Sequence, residues 1–263
     1  MKKRIIPSIL LRGGTQACVS QNFSPWRTVG VLAQNLRLHV QRSADELLLI
    51  NLDQAGNQQF VLPERVLRLI RQEVDIPIAY AGGIRSASDA ASCINAGFDK
   101  VYVTSAFLDD PSVVESIADV IGSQSLGLIL PYMRRDEGEA WVWDYRSRSF
   151  TQSILQMSIN VSIGLGVGEI VLHDVSRDGT LSGLDPLILA DVEKCQPPIS
   201  VLLAGGAGDA DHICNMLSSQ WIQGIVASSI FSLTQSTPVT IRQHCADHNI
   251  QMRRCAYLNL QPS

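Results

Sequence analysis

Eight short apolar runs, each followed by a longer stretch of helical pattern, constrain this chain more than any other feature. The runs cover residues 4–11, 46–53, 76–84, 100–106, 126–133, 169–175, 199–206 and 224–231. Several are apolar nearly throughout rather than alternating, as strands buried on both faces are. The stretches at 63–73, 86–96, 111–121 and 209–219 are amphipathic. Ser86 and Asp209 suit N-caps, and Pro63 and Pro111 suit first-turn positions. Strand–helix–strand units imply right-handed crossovers and a parallel sheet, and eight of them favour closure into an α/β, (β/α)8 TIM barrel. A chain of 263 residues suits one such barrel, so residues 1–263 read as a single domain. Residues 134–148 break the rhythm with two tryptophans and mixed charge, and read as a loop or small hairpin after the fifth strand.

An internal repeat supports the barrel. The block around Glu46 aligns with the block around Glu169 at an offset of 123 residues, and Ala81-Gly82-Gly83 aligns with Ala204-Gly205-Gly206 at the same offset. Val103-Thr104-Ser105-Ala106-Phe107 then aligns with Ala227-Ser228-Ser229-Ile230-Phe231. A register held across three blocks divides the chain into half-barrels at about 1–122 and 123–240, with a C-terminal tail at 241–263. A net charge of -4 and a pI near 5.7 argue against a nucleic-acid or anionic-membrane surface. No apolar run approaches the roughly 20 residues that span a bilayer. The basic then apolar N-terminus is cut short by Arg12 and Gly13-Gly14, which does not fit a secretory signal. Cys18, Cys93, Cys195, Cys214, Cys245 and Cys255 show neither CxxC spacing nor scaffold density, and read as reduced thiols of a cytoplasmic protein.

Each half offers a strand ending in Gly-Gly and then a strand ending in small hydroxyl residues: Gly82, Gly83, Thr104 and Ser105 in the first, Gly205, Gly206, Ser228 and Ser229 in the second. At the C-terminal rim of a barrel, glycines let backbone N–H groups approach an anion, and the following helix start adds donors. Barrels often hold a phosphate after strands seven and eight, where the second set falls. The alternative is that Gly-Gly makes tight turns and the hydroxyls cap helices. Recurrence at symmetric places favours two phosphate sites, with Gly179 in the loop Ser176-Arg177-Asp178-Gly179-Thr180 as a further rim element.

Arg4-Ile5-Ile6-Pro7, Ala81-Gly82-Gly83-Ile84, Gly122-Ser123-Gln124, Arg177-Asp178-Gly179-Thr180 and Ala204-Gly205-Gly206-Ala207-Gly208 resemble the cyclase subunit of imidazole-glycerol-phosphate synthase, in matching order from Arg4 to Phe231. Arg177-Asp178-Gly179-Thr180-Leu181-Ser182-Gly183 is also similar to the sister isomerase of histidine biosynthesis, whereas the opening Arg4-Ile5-Ile6-Pro7 points to the cyclase branch. The resemblance implies a barrel that takes ammonia from a glutaminase docked on its N-terminal face and carries it through the core to a phosphorylated substrate at the C-terminal face. It implies an ammonia gate of Arg4, Glu46, Lys100 and Glu169, with Asp99 at a glutaminase-contacting position. Alternating signs make such a ring physically sensible, although each charge alone reads equally as a solvated strand start.

The acid and base positions depart from that pattern. The two aspartates that the resemblance implies fall on Leu10 and Pro131, which carry no transferable proton. The first loop lacks a lysine at Ala17-Cys18-Val19-Ser20, and a further aspartate position is Asn51. Asp53, His173, Asp174 and Asp178 are the candidates that could project towards a bound substrate, although a strand-end Asp often caps the next turn. Cys18 lacks a paired histidine, and His212, His244 and His248 have no ligand spacing, so neither a nucleophilic thiol nor a metal or other cofactor is expected.

Three readings follow from the resemblance. One is a synthase that uses glutaminase-derived ammonia on an anionic phosphosugar or nucleotide-sugar acceptor. Relatives with the first-strand aspartate replaced by leucine occur beside surface-polysaccharide genes and are associated with turning acetamido sugars into acetamidino sugars. A second is a phosphate-binding barrel that has lost its chemistry but still docks and activates a glutaminase. The third is the cyclase of histidine biosynthesis itself, which the missing aspartates disfavour.

Overall fold

The computed structural model describes residues 2–22, 25–54, 57, 59–135 and 138–253. Its strands are β1 (Arg4–Arg12), β2 (Gln16–Ser20), β3 (Trp26–Val31), β4 (Leu47–Asn51), β5 (Ile78–Ala81), β6 (Lys100–Val103), β7 (Leu126–Arg134), β8 (Ala140–Asp144), β9 (Ser149–Ile154), β10 (Glu169–Asp174), β11 (Ser200–Ala204) and β12 (Gly224–Ala227). The helices are α1 (Leu32–Gln41), α2 (Glu64–Glu73), α3 (Ala87–Asn95), α4 (Ser105–Asp109), α5 (Ser112–Ile121), α6 (Leu155–Gly164), α7 (Ile188–Cys195), α8 (Ala210–Leu217), α9 (Ser229–Leu233) and α10 (Pro238–Asp247).

Eight parallel strands close on themselves in the order β1, β4, β5, β6, β7, β10, β11, β12, with β12 pairing back to β1. This is the (β/α)8 barrel that the eight runs predict. Two antiparallel hairpins extend it. β2 and β3 continue β1, and β8 and β9 continue β7. The second lies where residues 134–148 break the pattern. The first falls in the stretch read from the sequence only as a loop, because a five-residue strand is a weak signal.

Strand faces divide the core in two. Ile5, Ile9 and Leu11 point outward to the helices, whereas Ile6 and, further up β1, Ser8 and Leu10 face the lumen. The lumen is packed by Ile6, Leu48, Ala79, Tyr102, Val171 and Leu202. Outside, α2 buries Val66, Leu67 and Ile70 on one face, after Pro63 at its N-cap. Ser86 and Asp209 cap α3 and α8 by accepting from the backbone N–H of Asp89 and His212, as the sequence predicts.

The runs overshoot several strands. β6 stops at Val103 and β12 at Ala227, and the hydroxyl residues that follow lead into short helices starting at Ser105 and Ser229. Residues 241–247, read as tail, belong to α10, which Thr237 opens with a capping box and which buries Ile241, Arg242 and Cys245.

Gly127 is fixed by its neighbour. A Cβ there would lie 2.3 Å from the Tyr102 ring, so the lumen accommodates that ring only because β7 carries no side chain at this point. Gly127→Ala is expected to cost about 1–3 kcal/mol, as overpacking of a filled core does. Equilibrium denaturation measures this, and an unchanged midpoint would contradict the tight Tyr102 contact.

Candidate functional site

The C-terminal ends of the strands frame a pocket of about 660 Å3, counting its open mouth. Its floor is apolar: Leu48, Ile50, Ile129, Val171 and Val226. Its polar wall is contributed by Gly205, Gly206, Ser228, Ser229, His173 and Asp178. Gly179 lines it too, packed against the Ser20 carbonyl of β2.

The two expected phosphate cradles differ. Gly205 and Gly206 open on the pocket together with Ser228 and Ser229. In the first half, the Thr104 hydroxyl donates to the Ile129 carbonyl at 3.0 Å, and Ser105 Oγ lies 2.7 Å from the Tyr145 hydroxyl beyond β8. None of Gly82, Gly83, Thr104 and Ser105 lines the pocket. The glycines themselves have a packing reason in both halves. A Cβ on Gly82 would meet the Asn51 carbonyl at 2.4 Å, and one on Gly205 would meet the Asp174 carbonyl at 2.3 Å. Gly-Gly is thus required by the close approach of the preceding strand end, whatever it binds. The sequence could not separate the two cradles, because what separates them is Tyr145, distant in the chain.

Of the four candidate acid–base groups, two are turn caps. Asp53 accepts from the N–H of Gly13 at 2.9 Å and of Gly14 at 2.7 Å, pinning the β1–β2 turn. Asp174 is buried and accepts from the Ser176 N–H at 2.9 Å and from the Ser176 hydroxyl at 2.6 Å. Burial raises its pKa, with the nearby Asp185 adding to the effect against the hydrogen bonds from Ser176. The other two meet: His173 Nε2 lies 3.1 Å from Asp178 Oδ1, and both side chains line the pocket.

Leu10 lines the same pocket, and Pro131 sits on β7 in register with His173. Neither offers a proton. Asn51 is buried, donating to the Tyr80 hydroxyl at 3.1 Å. Cys18 is buried beside β1, with its thiol 3.4 Å from the Leu10 carbonyl, and burial raises its pKa, the opposite of what a nucleophile needs. Cys255 lies outside the described residues.

At the opposite end, the four predicted charges are in contact. Arg4 Nη1 lies 2.5 Å from Glu46 Oε1, Arg4 Nη2 bonds Glu169, and Lys100 Nζ lies 2.6 Å from Glu169 Oε1. The Tyr102 hydroxyl donates to the same carboxylate from inside the lumen. Asp99, at this face, is exposed and accepts from the Ile78 N–H at 2.8 Å. The pocket lining reaches down to Leu48 and Val171, and Ile6, Tyr102 and Leu202 fill the lumen between it and the ring. The four charges of the ring thus pair with one another beneath a lumen lined by buried apolar side chains.

Two further groupings escaped the sequence. Arg134, at the end of β7, bonds Asp185 at 2.7 Å and Asp191 at 2.8 Å, tying the hairpin base to α7. Cys214, His244 and His248 come together on the outer surface, across α8 and α10. Neither has a local signature, because each partner is supplied by a different element. No helix among the described residues is long and apolar enough to cross a membrane.

Burial alone would raise the Glu169 pKa, but Arg4 and Lys100 outweigh it and the pKa is lowered. The folded value lies below the ordinary 4.5, so the stabilisation is complete above that pH and lost as pH falls through the folded value. Glu169→Gln is expected to lose about 3–5 kcal/mol at neutral pH, as breaking a buried pair does. The gap between variant and wild type should narrow as pH drops below 4.5. Denaturation curves across acid pH measure it; a gap independent of pH would contradict the ion-pair account.

Comparison with known proteins supports the same assignment. A family model described as histidine biosynthesis protein matches residues 4–237. The chain is 30% identical over 234 residues to a putative imidazole glycerol phosphate synthase subunit HisF of Leptospira borgpetersenii, covering 88% of this chain and 90% of that protein. It is 30% identical over 254 residues to the HisF subunit of Chlorobium phaeobacteroides, covering 96% and 99%, and 27% identical over 253 residues to that of an Exiguobacterium species, covering 96% and 97%. With a closed eight-stranded barrel, a family match along most of its length and relatives covered almost end to end, the chain belongs to the histidine biosynthesis protein family, on its HisF-like cyclase branch.

Proposed function

We propose that this chain is a synthase subunit that adds ammonia from a partner glutaminase to an anionic, phosphorylated acceptor without closing an imidazole ring. The observation that carries this reading is the His173–Asp178 pair, 3.1 Å apart, in the pocket where Leu10 and the Pro131 strand position supply no acid or base. The acceptor's phosphate anchors on the second cradle, between the backbone of Gly205 and Gly206 and the hydroxyls of Ser228 and Ser229. The apolar floor beside it excludes water from the reacting carbon.

An acetamido group on a nucleotide sugar fits these parts as acceptor. Ammonia nitrogen bonds to the amide carbon, and the carbonyl oxygen leaves as water. His173 relays two protons from the incoming nitrogen to the oxygen, the first as the tetrahedral adduct forms and the second as water departs, while Asp178 holds the imidazole in place. This is consistent with a cytoplasmic role in surface-polysaccharide synthesis. Ammonia enters at the Arg4–Glu46–Lys100–Glu169 ring, beneath a glutaminase seated near Asp99, and reaches the mouth once the ring opens. Leu10 on the pocket lining and Pro131 in register with His173 favour a second reading, in which the barrel binds a phosphorylated ligand and activates the glutaminase without chemistry of its own.

Supplying the chain and its glutaminase with labelled glutamine amide in a small-molecule cell extract distinguishes the readings. Mass spectrometry is expected to find the label in an anionic sugar, at a rate that falls about 100-fold in His173→Asn. Lys100→Ala is expected to uncouple glutamine use from labelling while leaving phosphate affinity unchanged. Stimulated glutamine hydrolysis with no labelled sugar supports the activator reading instead, and restored growth of a cyclase-deficient strain by the unaltered chain would overturn both.

A further inference from the structure

Cys214 and the histidines of α10 lie far apart in sequence, and His244 and His248 have only each other for local spacing. The fold changes this. α10 packs along α8, and the Cys214 sulfur and one ring nitrogen from each histidine all lie within 4.8 Å of one another. His244 and His248 stand four residues apart, on one face of the helix end, with ring centroids separated by 4.5 Å. Soft sulfur together with imidazole is the donor set of zinc-class cations.

The surroundings match what such a donor set needs. His244 Nε2 lies 2.8 Å from the Asp211 carboxylate, one turn before Cys214 on α8. His248 Nδ1 lies 2.8 Å from the His244 carbonyl. Bonding one ring nitrogen to a carboxylate or carbonyl fixes the tautomer and leaves the other nitrogen's lone pair for a metal. Cys245, fully buried on the inner side of α10, hydrogen-bonds the Cys214 sulfur and backs it from the core side.

We propose that Cys214, His244 and His248 form a binding site for one zinc-class divalent cation, which clasps α10 onto α8 on the outer surface of the barrel. Tetrahedral zinc, with bonds of about 2.0–2.3 Å, sets its ligand atoms roughly 3.3–3.8 Å apart, so side-chain adjustments of about 1 Å complete the site. Water takes the fourth position. Binding releases the Cys214 proton to solvent and changes no oxidation state.

The test uses the full chain, stripped by chelator, kept reduced and titrated with cobalt(II), which reports thiolate ligation through a near-ultraviolet charge-transfer band. One equivalent is expected to bind at stoichiometric concentrations with that band, and zinc to displace it and raise the Tm. Cys214→Ser is expected to abolish the band. His248→Asn, at an exposed position whose loss leaves the core intact, is expected to weaken binding at least tenfold, and Asp211→Asn about tenfold. Cys18→Ser is the control and is expected to change nothing. Absence of the band in the unaltered chain, its persistence in Cys214→Ser, or unaltered affinity in His248→Asn would overturn the site.

Discussion

A carboxylate held between two cations at the base of a closed barrel organises the lumen above it. Glu169 bonds Arg4 from the first barrel strand, Lys100 from the fourth and the Tyr102 hydroxyl from within. Each charge would be costly to bury alone, and the alternating arrangement lets all four sit at the base of an apolar lumen. The same strand then carries Val171 into the packed interior and His173 to the rim, two residues at a time on one face. One end of β10 thus carries the carboxylate that ties the charged ring together, and the other places an imidazole in the pocket, about 13 Å away at strand rise.

What the sequence made legible were the features that depend on local pattern. Buried parallel strands are continuously apolar, Ser86 and Asp209 mark helix starts, and the 123-residue repeat from Glu46 to Glu169 carries the half-barrel register. The packing relation of Gly82 to the Asn51 carbonyl recurs between Gly205 and the Asp174 carbonyl. Strand ends were less legible, because Ser105 and Ser229 continue an apolar run while already belonging to helices. The site residues divided for the same reason. Asp53 and His173 look alike as polar groups near a strand end, and only the fold shows that one caps the Gly13–Gly14 turn while the other pairs with Asp178 on the pocket wall.

The two halves of the barrel depart from each other at the rim. The hairpin β8–β9 brings Tyr145 onto Ser105, and the first cradle's hydroxyls are spent on protein partners. The second cradle keeps Ser228 and Ser229 on the pocket wall, next to the one imidazole–carboxylate pair of the rim loop. The pocket lining thus draws on the second cradle and not the first, and on the proposed reading the anchoring groups and the His173–Asp178 pair share it with Leu10.

The most direct measurement is the position of phosphate in crystals of the unaltered chain soaked in the free anion. The account predicts density between the Gly205–Gly206 backbone and the hydroxyls of Ser228 and Ser229, within reach of His173. Phosphate bound instead at Gly82, Gly83, Thr104 and Ser105, with the second cradle empty, would contradict it.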